Sequence, residues 1–199
     1  MKEKPDRYTA SGLIEGQFEP GSRGRVLLNK RGINRKREMD RIESEELLKA
    51  FKKIIALYGT NHRFNASDIC RMHREWLGDV YAWAGKYRQV NLSKGEFTFA
   101  SAISVPRLMA EFEQLYLAVY TPCRNVARHQ LSLPLAIVHV ELLLIHPFRE
   151  GNGRLARMLA VLMAFTQGCR HLISVCSGGK SERAILVRFD QGCIGIMSQ

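Results

Sequence analysis

The amino-acid sequence predicts a mainly helical, all-α domain in which one β-hairpin projects from a bundle of helices. Apolar residues recur at helical spacing through most of the chain, and only residues 86–100 alternate as a pair of strands does. Hydrophobic residues make up 46% of the 199 residues and charged residues 25%, a balance typical of chains that bury a core. This length favours a single domain with short extensions.

We expect two regions along the chain. Residues 1–37 form an N-terminal segment that ends in a basic linker, and residues 38–199 form the compact domain. A stretch rich in Gly and Arg, residues 16–37, separates the two. Its run of positive charge is typical of a solvated connection.

Two amphipathic helices open the compact domain. The first is predicted over residues 40–58, where apolar residues follow helical spacing, acidic residues lie near the start and basic residues come later. The second begins at about Ser67, with Ser67 and Asp68 as candidate N-terminal caps. We expect Gly85 to end it.

The hairpin is predicted over residues 86–100. Apolar and polar side chains alternate there on both sides of a turn at residues 93–95, where Gly95 permits the tight backbone bend. Pro106 then opens a third helix, whose apolar face continues to Val119.

Two strongly apolar helices follow a loop at residues 121–130. The helix over residues 133–145 is apolar on nearly every side, which predicts that other helices enclose it, and Pro147 stops it. The next apolar helix is predicted over residues 154–165, closed by Gly168. A last helix is expected near residues 180–189.

Composition narrows the function classes. The five cysteines form no Cys-x-x-Cys pair, so we expect reduced thiols and a cytoplasmic protein. The N-terminus lacks an apolar export segment, and His139 and Glu141 interrupt the longest apolar run, so no membrane span is expected. The formal net charge of +11 permits attraction to nucleic acid, nucleotides or acidic proteins.

One stretch, HPFREGNGRLAR at residues 146–157, concentrates the residues that carry chemistry. Gly151 and Gly153 permit a turn whose amides, at the start of a helix, favour a phosphate. Arg154 and Arg157 lie three residues apart on one helix face, where a di- or triphosphate would balance two cations at the positive end of the helix dipole.

Two further side chains of this stretch point to phosphoryl chemistry. Glu150, beside the phosphate site, implies Mg²⁺, which one or two carboxylates hold together with phosphate oxygens. His146, at the end of the apolar helix, fits a general base because neutral imidazole accepts a proton near pH 7. Phe148 is expected to anchor the loop in the core.

The stretch matches the signature His-x-Phe-x-Asp/Glu-Gly-Asn-Gly-Arg-x-x-Arg at every position. The segment WLGDVYAWAGKYRQVNLSKGEFTFA is similar to the helix and flap hairpin that precede this signature in the Fic family. The chain therefore resembles a Fic-domain nucleotidyltransferase over about residues 40–188.

This resemblance implies transfer of AMP from ATP to a Tyr, Ser or Thr hydroxyl of a target protein, with pyrophosphate released. It implies a role for each signature residue: His146 as the base, Glu150 as the Mg²⁺ ligand, Gly151, Asn152 and Gly153 as an anion nest, and Arg154 and Arg157 on the β- and γ-phosphates. It also implies that a flap containing Lys94, Gly95, Glu96 and Phe97 clamps the target.

A second, shorter match concerns the N-terminal segment. SGLIEG, residues 11–16, follows the family's inhibitory pattern Ser/Thr-x-x-x-Glu-Gly/Asn, which contains Ser11 and Glu15. The resemblance implies that Glu15 forms a salt bridge with Arg157 and blocks the γ-phosphate position, so that resting activity is low. Residues 1–37 would then be an inhibitory segment.

Three alternatives remain open at this point. The same fold includes a Doc-type kinase and a phosphocholine transferase, although the intact Gly-Asn-Gly-Arg-x-x-Arg favours AMP transfer. A nucleic-acid-binding protein would use the positive charge, but the sequence lacks aromatic residues interleaved with Lys and Arg. A metal site of His139, Glu141 and His146 lacks the His-Glu-x-x-His spacing. The oligomeric state is left open.

Overall fold

The computed structural model describes residues 12–58, 61–123, 127, 130–165, 173–175, 185–189 and 192–193. These residues form a mainly helical fold, as predicted. The helices are α1 (Lys36–Leu57), α2 (Ala66–Leu77), α3 (Val105–Phe112), α4 (Ala118–Tyr120), α5 (Ser132–Ile145) and α6 (Asn152–Phe165). The strands are β1 (Ser93–Lys94), β2 (Phe97–Thr98), β3 (Ile173–Val175), β4 (Ile185–Phe189) and β5 (Gly192–Cys193).

Helix α2 starts with a capping box that the sequence analysis placed two residues too late. The Asn65 side chain accepts a hydrogen bond from the Asp68 amide at 2.9 Å, and the Asp68 carboxylate accepts one from the Asn65 amide at 3.1 Å. Ser67 lies inside the helix, so its predicted role as cap is wrong. The helix ends at Leu77 rather than Gly85. The chain turns back there because the amides of Val80 and Tyr81 both donate hydrogen bonds to the Leu77 carbonyl.

The predicted hairpin is present but shorter than the alternation indicated. Strands β1 and β2 pair antiparallel, with Lys94 opposite Phe97, and Gly95 (φ 61°) and Glu96 form the turn. Residues 93–98 are called the flap, and residues 89–92 with 99–100 the flap base. The flap base pairs only weakly as a ladder because Val90 is buried against the body of the protein.

Pro106 stands in the first turn of α3, as predicted. The helical path continues from α3 through a π-helical turn, Glu113–Leu117, into α4. Met109 and Phe112 of the predicted apolar face are buried in the core, whereas Leu115 is 60% exposed. Val119 is 65% exposed and ends the buried face earlier than expected.

The helix enclosed by the bundle is α6 rather than α5. Every side chain of α6 from Leu155 to Ala164 is buried except that of Arg157. Helix α5 instead leaves Leu133 and Val140 at 66% and 49% exposure. The prediction for α5 is wrong because apolar composition does not determine which side chains are covered: α5 packs against α6 and α3 and still leaves these side chains exposed. Gly168, the predicted end of α6, lies outside the described residues.

Strands β3, β4 and β5 form an antiparallel sheet near the C-terminus. The helix predicted over residues 180–189 is therefore wrong for β4. The segment Ile-Leu-Val-Arg-Phe of β4 is rich in β-branched and aromatic residues, which favour an extended chain. Residues 180–184 lie outside the described residues.

The basic stretch before α1 is packed, not a solvated linker. Val26 and Leu27 are buried in the core, and Leu27 bridges back to Phe18. The Lys30 amide donates to the Val80 carbonyl at 2.8 Å and so attaches the stretch to the residues after α2. Burial of the apolar side chains within this basic run stabilises the fold. The cost of desolvating the charged side chains is smaller, because those side chains stay at the surface.

Candidate functional site

The candidate site is built on the loop that joins α5 to α6. His146 caps α5 in the left-handed conformation, with φ 53° and ψ 59°, and its amide still donates to Leu142 at 3.0 Å. The next residue, Pro147, cannot continue the helix. The sharp reversal takes the His146 side chain out of the helical register at the point where the loop begins.

The imidazole of His146 is set up as a proton acceptor. Its Nδ1 lies 3.2 Å from the Leu143 carbonyl oxygen, which only accepts, so Nδ1 carries the proton and Nε2 the lone pair. Phe99 of the flap base stacks on the ring at 3.7 Å between centroids. Burial lowers the pKa of His146 below its ordinary value, which keeps the ring neutral at pH 7.

Two side chains hold the loop from inside the protein. Phe148 is fully buried, as predicted, and stacks on His73 with ring centroids 4.0 Å apart. Asn152 accepts from the Phe148 amide at 2.9 Å and donates to the Phe148 carbonyl at 2.8 Å. The Asn152 side chain, predicted as part of the anion nest, therefore braces the loop; its position at the start of α6 leaves only its backbone toward that nest.

His73, in α2, is a site residue to which the sequence analysis assigned no role. Its Nδ1 accepts from the Gly85 amide at 2.8 Å, so its Nε2 carries the proton and donates to the Glu150 carbonyl at 3.1 Å. Burial lowers the pKa of His73 to about 4. A neutral His73 thus fixes the backbone of the acidic residue in the loop.

The two glycines of the turn have different reasons to be glycine. Gly151 has φ 86°, and a Cβ there would lie 2.7 Å from the Trp76 ring. Gly153 lacks a positive φ, and a Cβ there would meet only the guanidinium of Arg157, at 3.8 Å. Gly151 is therefore required by packing, whereas the space in front of Gly153 is open at the start of α6.

Arg154 is held by a buried acid on a distant helix. Its Nη2 lies 2.7 Å from Glu43 of α1 and 3.3 Å from Glu150, and its guanidinium lies 4.6 Å from the Trp76 ring centroid. Glu43 is 1% exposed and also accepts from the Tyr81 hydroxyl at 2.7 Å. No local sequence pattern could assign Glu43 this role, because its partner lies 111 positions away.

The remaining candidate ligands of a metal are sparse. One Glu150 oxygen accepts from the Gly151 amide at 2.9 Å, and the side chain is 42% exposed. Among the described residues no group of three or more His, Cys, Asp and Glu side chains could hold a metal ion. His139 belongs to α5, and burial is the main cause that lowers its pKa, with the charge of Arg157 adding to it.

Glu15 does not meet the signature arginine that it was predicted to bind. Its carboxylate accepts from the amides of Gln89 and Val90 at 2.5 and 3.0 Å, and its carbonyl accepts from Arg149 at 2.9 Å. No ion pair between Glu15 and Arg157 is seen among the described residues, and the predicted inhibitory pairing stays a prediction. The turn Ile14–Gly16 packs beside the flap base, and two amides already use the carboxylate. Ser11 lies outside the described residues.

Arg88 is a second site residue that sequence analysis missed. It is 1% exposed, and its guanidinium donates to four backbone carbonyls. These are His146 at 2.7 Å, Val90 at 2.8 Å, Ala100 at 2.5 Å and Ile145 at 3.4 Å. Arg88 thus joins the end of α5 to both ends of the flap base, and no local sequence pattern predicts such a set of contacts.

The four predicted flap residues form the end of the β1–β2 hairpin. Lys94, Gly95, Glu96 and Phe97 are all exposed, and Phe97 contacts Phe99 edge-on at 5.1 Å. Since Phe99 of the flap base stacks on His146, the flap reaches the imidazole through the flap base. Among the described helices, none combines the length and apolar character needed to span a bilayer.

Comparison with known protein families matches the same part of the chain that forms the candidate site. A profile of the Fic/DOC family matches residues 63–164, just over half of the chain. The matched region contains α2, the flap, α5 and most of α6, which are the elements that form the site. The chain belongs to the Fic/DOC family.

Individual relatives are similar over part of their length. The chain is 30% identical over 133 residues to protein adenylyltransferase VbhT of Bartonella schoenbuchensis, covering 66% of this chain and 27% of VbhT. It is 34% identical over 133 residues to the probable protein adenylyltransferase y4lH of Sinorhizobium fredii, covering 65% of each. The chain therefore spans less than two thirds of either relative.

A solved structure shares the fold. BepC, a VirB-translocated effector protein of Bartonella tribocorum solved with bound AMPPNP, superposes with a TM-score of 0.65 at 18% identity. The superposition covers 79% of this chain and 80% of the BepC chain. This match covers a larger share of the chain than the family profile does.

Proposed function

We propose that this protein transfers AMP from ATP to a hydroxyl side chain of a target protein. The observation that carries the proposal is the His146 imidazole, neutral and with its lone pair on Nε2, beside a glycine turn at the start of α6. Relatives named protein adenylyltransferases support the same reaction class.

The reaction begins with proton transfer to His146. Nε2 takes the proton of a Tyr, Ser or Thr hydroxyl of the target as its oxygen attacks the α-phosphorus of ATP. A bond forms between that oxygen and the α-phosphorus, and the bond from the α-phosphorus to the oxygen bridging the β-phosphate breaks. Pyrophosphate leaves, and AMP stays on the target as a phosphodiester.

The turn after His146 would hold the phosphates. The amides at the start of α6 and the open space in front of Gly153 suit an anion, which the helix dipole also favours. Arg154 and Arg157 would orient the β- and γ-phosphates, with Arg154 sharing its charge between phosphate and Glu43. AMPPNP bound to the BepC relative supports a nucleoside triphosphate as ligand.

Glu150 is suited to be the one side chain of this protein that would bind Mg²⁺. One of its oxygens is held by the Gly151 amide, and the exposed side chain borders the phosphate turn. Magnesium is usually held by one or two carboxylates together with substrate phosphates. When bound, the ion would neutralise charge on the phosphates.

The flap would bind the target. The exposed edge of the flap, which includes Lys94 and Phe97, can take a target segment by strand addition. The cytoplasm, which supplies ATP and keeps cysteines reduced, is the proposed place of reaction. The inhibitory role of Glu15 stays a prediction. In the structure its carboxylate binds the amides of Gln89 and Val90 rather than a signature arginine.

The test is transfer of label from ATP labelled at the α-phosphate, with Mg²⁺, in a cell lysate. We expect wild-type protein to label lysate proteins, His146→Ala to give no label, and His62→Ala, a histidine outside the site, to behave as wild type. Mass spectrometry of a labelled protein is expected to show one added AMP group. Label transfer by His146→Ala, or an added phosphate or phosphocholine in place of AMP, would overturn the proposal.

A further inference from the structure

The flap is too short to hold its own position. Its strands contain two residues each, all of them exposed, and a lone hairpin of this size is at best marginally stable in water. One further hydrogen bond, from the Phe99 amide to the Leu92 carbonyl at 3.1 Å, continues the pairing into the flap base. The position of the flap must therefore be set by what holds the flap base.

Arg88 holds the flap base from the side of the core. Its guanidinium binds the Val90 carbonyl at one end of the flap base and the Ala100 carbonyl at the other. The same group binds the His146 carbonyl at 2.7 Å. A guanidinium is planar and donates hydrogen bonds in fixed directions. These bonds therefore hold the flap base in one orientation relative to the loop that joins α5 to α6.

Glu15 holds the same segment from the N-terminal side. Its carboxylate is 6% exposed and binds the Val90 amide, so the peptide units on both sides of Val90 are fixed, one by Glu15 and the other by Arg88. Glu15 also supplies the negative charge that opposes the loss of the Arg88 positive charge on burial. Its carbonyl binds Arg149, so the same residue contacts the catalytic loop.

We propose that the Glu15 carboxylate and the Arg88 guanidinium together form a clamp that positions the flap over His146, so that Glu15 promotes AMP transfer to the target. Both are positioning residues: neither touches the reacting atoms. They act through Phe99, which belongs to the flap base and stacks on the imidazole at 3.7 Å. This inference rests on the proposed function, and it assigns Glu15 the sign opposite to that of a brake.

The first readout is independent of activity. The Phe99 amide binds Leu92 and does not touch Glu15, so its hydrogen exchange reports how firmly the flap is held. We expect Glu15→Ala to speed exchange at Phe99 about tenfold to a hundredfold, the loss typical of a hydrogen bond to a charged group. Glu15→Gln keeps an acceptor oxygen and is expected to restore part of the protection.

A matched control is available in the same segment. Glu19 is also buried, and its carboxylate accepts from the Asn29 amide at 2.8 Å without contacting the flap. Glu19→Ala is expected to leave exchange at Phe99 unchanged, even if it lowers the melting temperature as much as Glu15→Ala does. Equal exchange at Phe99 in both variants would overturn the clamp.

The second readout is labelling of lysate proteins from ATP labelled at the α-phosphate, with Mg²⁺. We expect Glu15→Ala and Arg88→Lys to lower labelling about tenfold or more, while binding of a fluorescent ATP analogue stays as in wild type. Increased labelling by Glu15→Ala would overturn the clamp and favour the brake. If wild-type protein gives no label, the proposed function fails, and exchange at Phe99 still decides whether the clamp exists.

Discussion

Glu43 of α1 and Arg154 of α6 form an ion pair of 2.7 Å in which the Glu43 side chain is 2% exposed. The pair ties Arg154, an arginine of the proposed phosphate site, to helix α1. Glu43 also receives the Tyr81 hydroxyl, so the acid has both a charge partner and a hydrogen-bond donor. A buried carboxylate with this set of partners is expected to be costly to disturb.

The first prediction concerns that pair. Glu43→Ala leaves the Arg154 charge and the Tyr81 hydroxyl without their acceptor, so we expect the free energy of unfolding to fall by about 3 kcal/mol. Urea denaturation measures this loss. Glu45→Ala, which breaks an exposed pair with Arg41 on the same helix, is expected to cost under about 0.5 kcal/mol. Losses of equal size would show that the buried pair has no special weight.

The second prediction separates the two glycines of the turn. Gly151→Ala puts a Cβ 2.7 Å from the Trp76 ring at a residue with φ 86°, so we expect about 2 kcal/mol or more of lost stability. Gly153→Ala meets only the Arg157 guanidinium at 3.8 Å and should fold as wild type, while weakening ATP binding by filling the phosphate space. Denaturation and nucleotide titration test both. Wild-type ATP affinity in Gly153→Ala would move the phosphate site elsewhere.

The third prediction assigns Asn152 to loop bracing. Asn152→Ala removes both hydrogen bonds to the Phe148 backbone, and we expect about 2 kcal/mol of lost stability because both groups are buried. Asn152→Asp keeps the acceptor and loses the donor, so a smaller loss is expected. Thermal unfolding of the two variants measures the difference. A pure loss of ATP binding with unchanged stability would return Asn152 to the anion nest.

The fourth prediction concerns pH. Burial is the main cause that lowers the pKa of His146, with Leu143 and Glu150 opposing it and Arg88 and Lys94 adding to it. The base works when deprotonated, so over about pH 8 to 5 transfer is expected to fall as the ring takes up a proton, at a lower pH than the ordinary histidine pKa of about 6.5 would give. Labelling rates over this pH range measure the acid limb.

Phe99 provides the matched variant for that profile. Phe99→Ala removes the ring stacked on His146 and exposes the imidazole, so its pKa should rise toward 6.5 and the acid limb should move to higher pH. Phe97→Ala removes a flap ring that is 52% exposed and contacts Phe99 rather than His146, so its acid limb should match wild type. An unshifted limb in Phe99→Ala would mean that burial by the flap does not set this pKa.

Local patterns in the sequence predicted the elements well. Helical periodicity predicted the positions of α1, α2, α3, α5 and α6. The Gly-Asn-Gly turn and the residues beside it predicted the loop that joins α5 to α6. The errors arose where a local pattern has two outcomes. Apolar composition marked α5 as enclosed although α6 is, and the branched residues of β4 fitted a helix pattern as well as the strand that they form.

The sequence by itself determined the fold class and the residues of the loop from His146 to Arg157, because both depend on neighbours along the chain. Only the tertiary structure decided which side chains support that loop: Glu43 for Arg154, His73 for Glu150, and Arg88 for His146. These partners lie 58 to 111 positions apart. Periodicity tells which face of a helix is buried, but the packing of the whole chain chooses what that face meets.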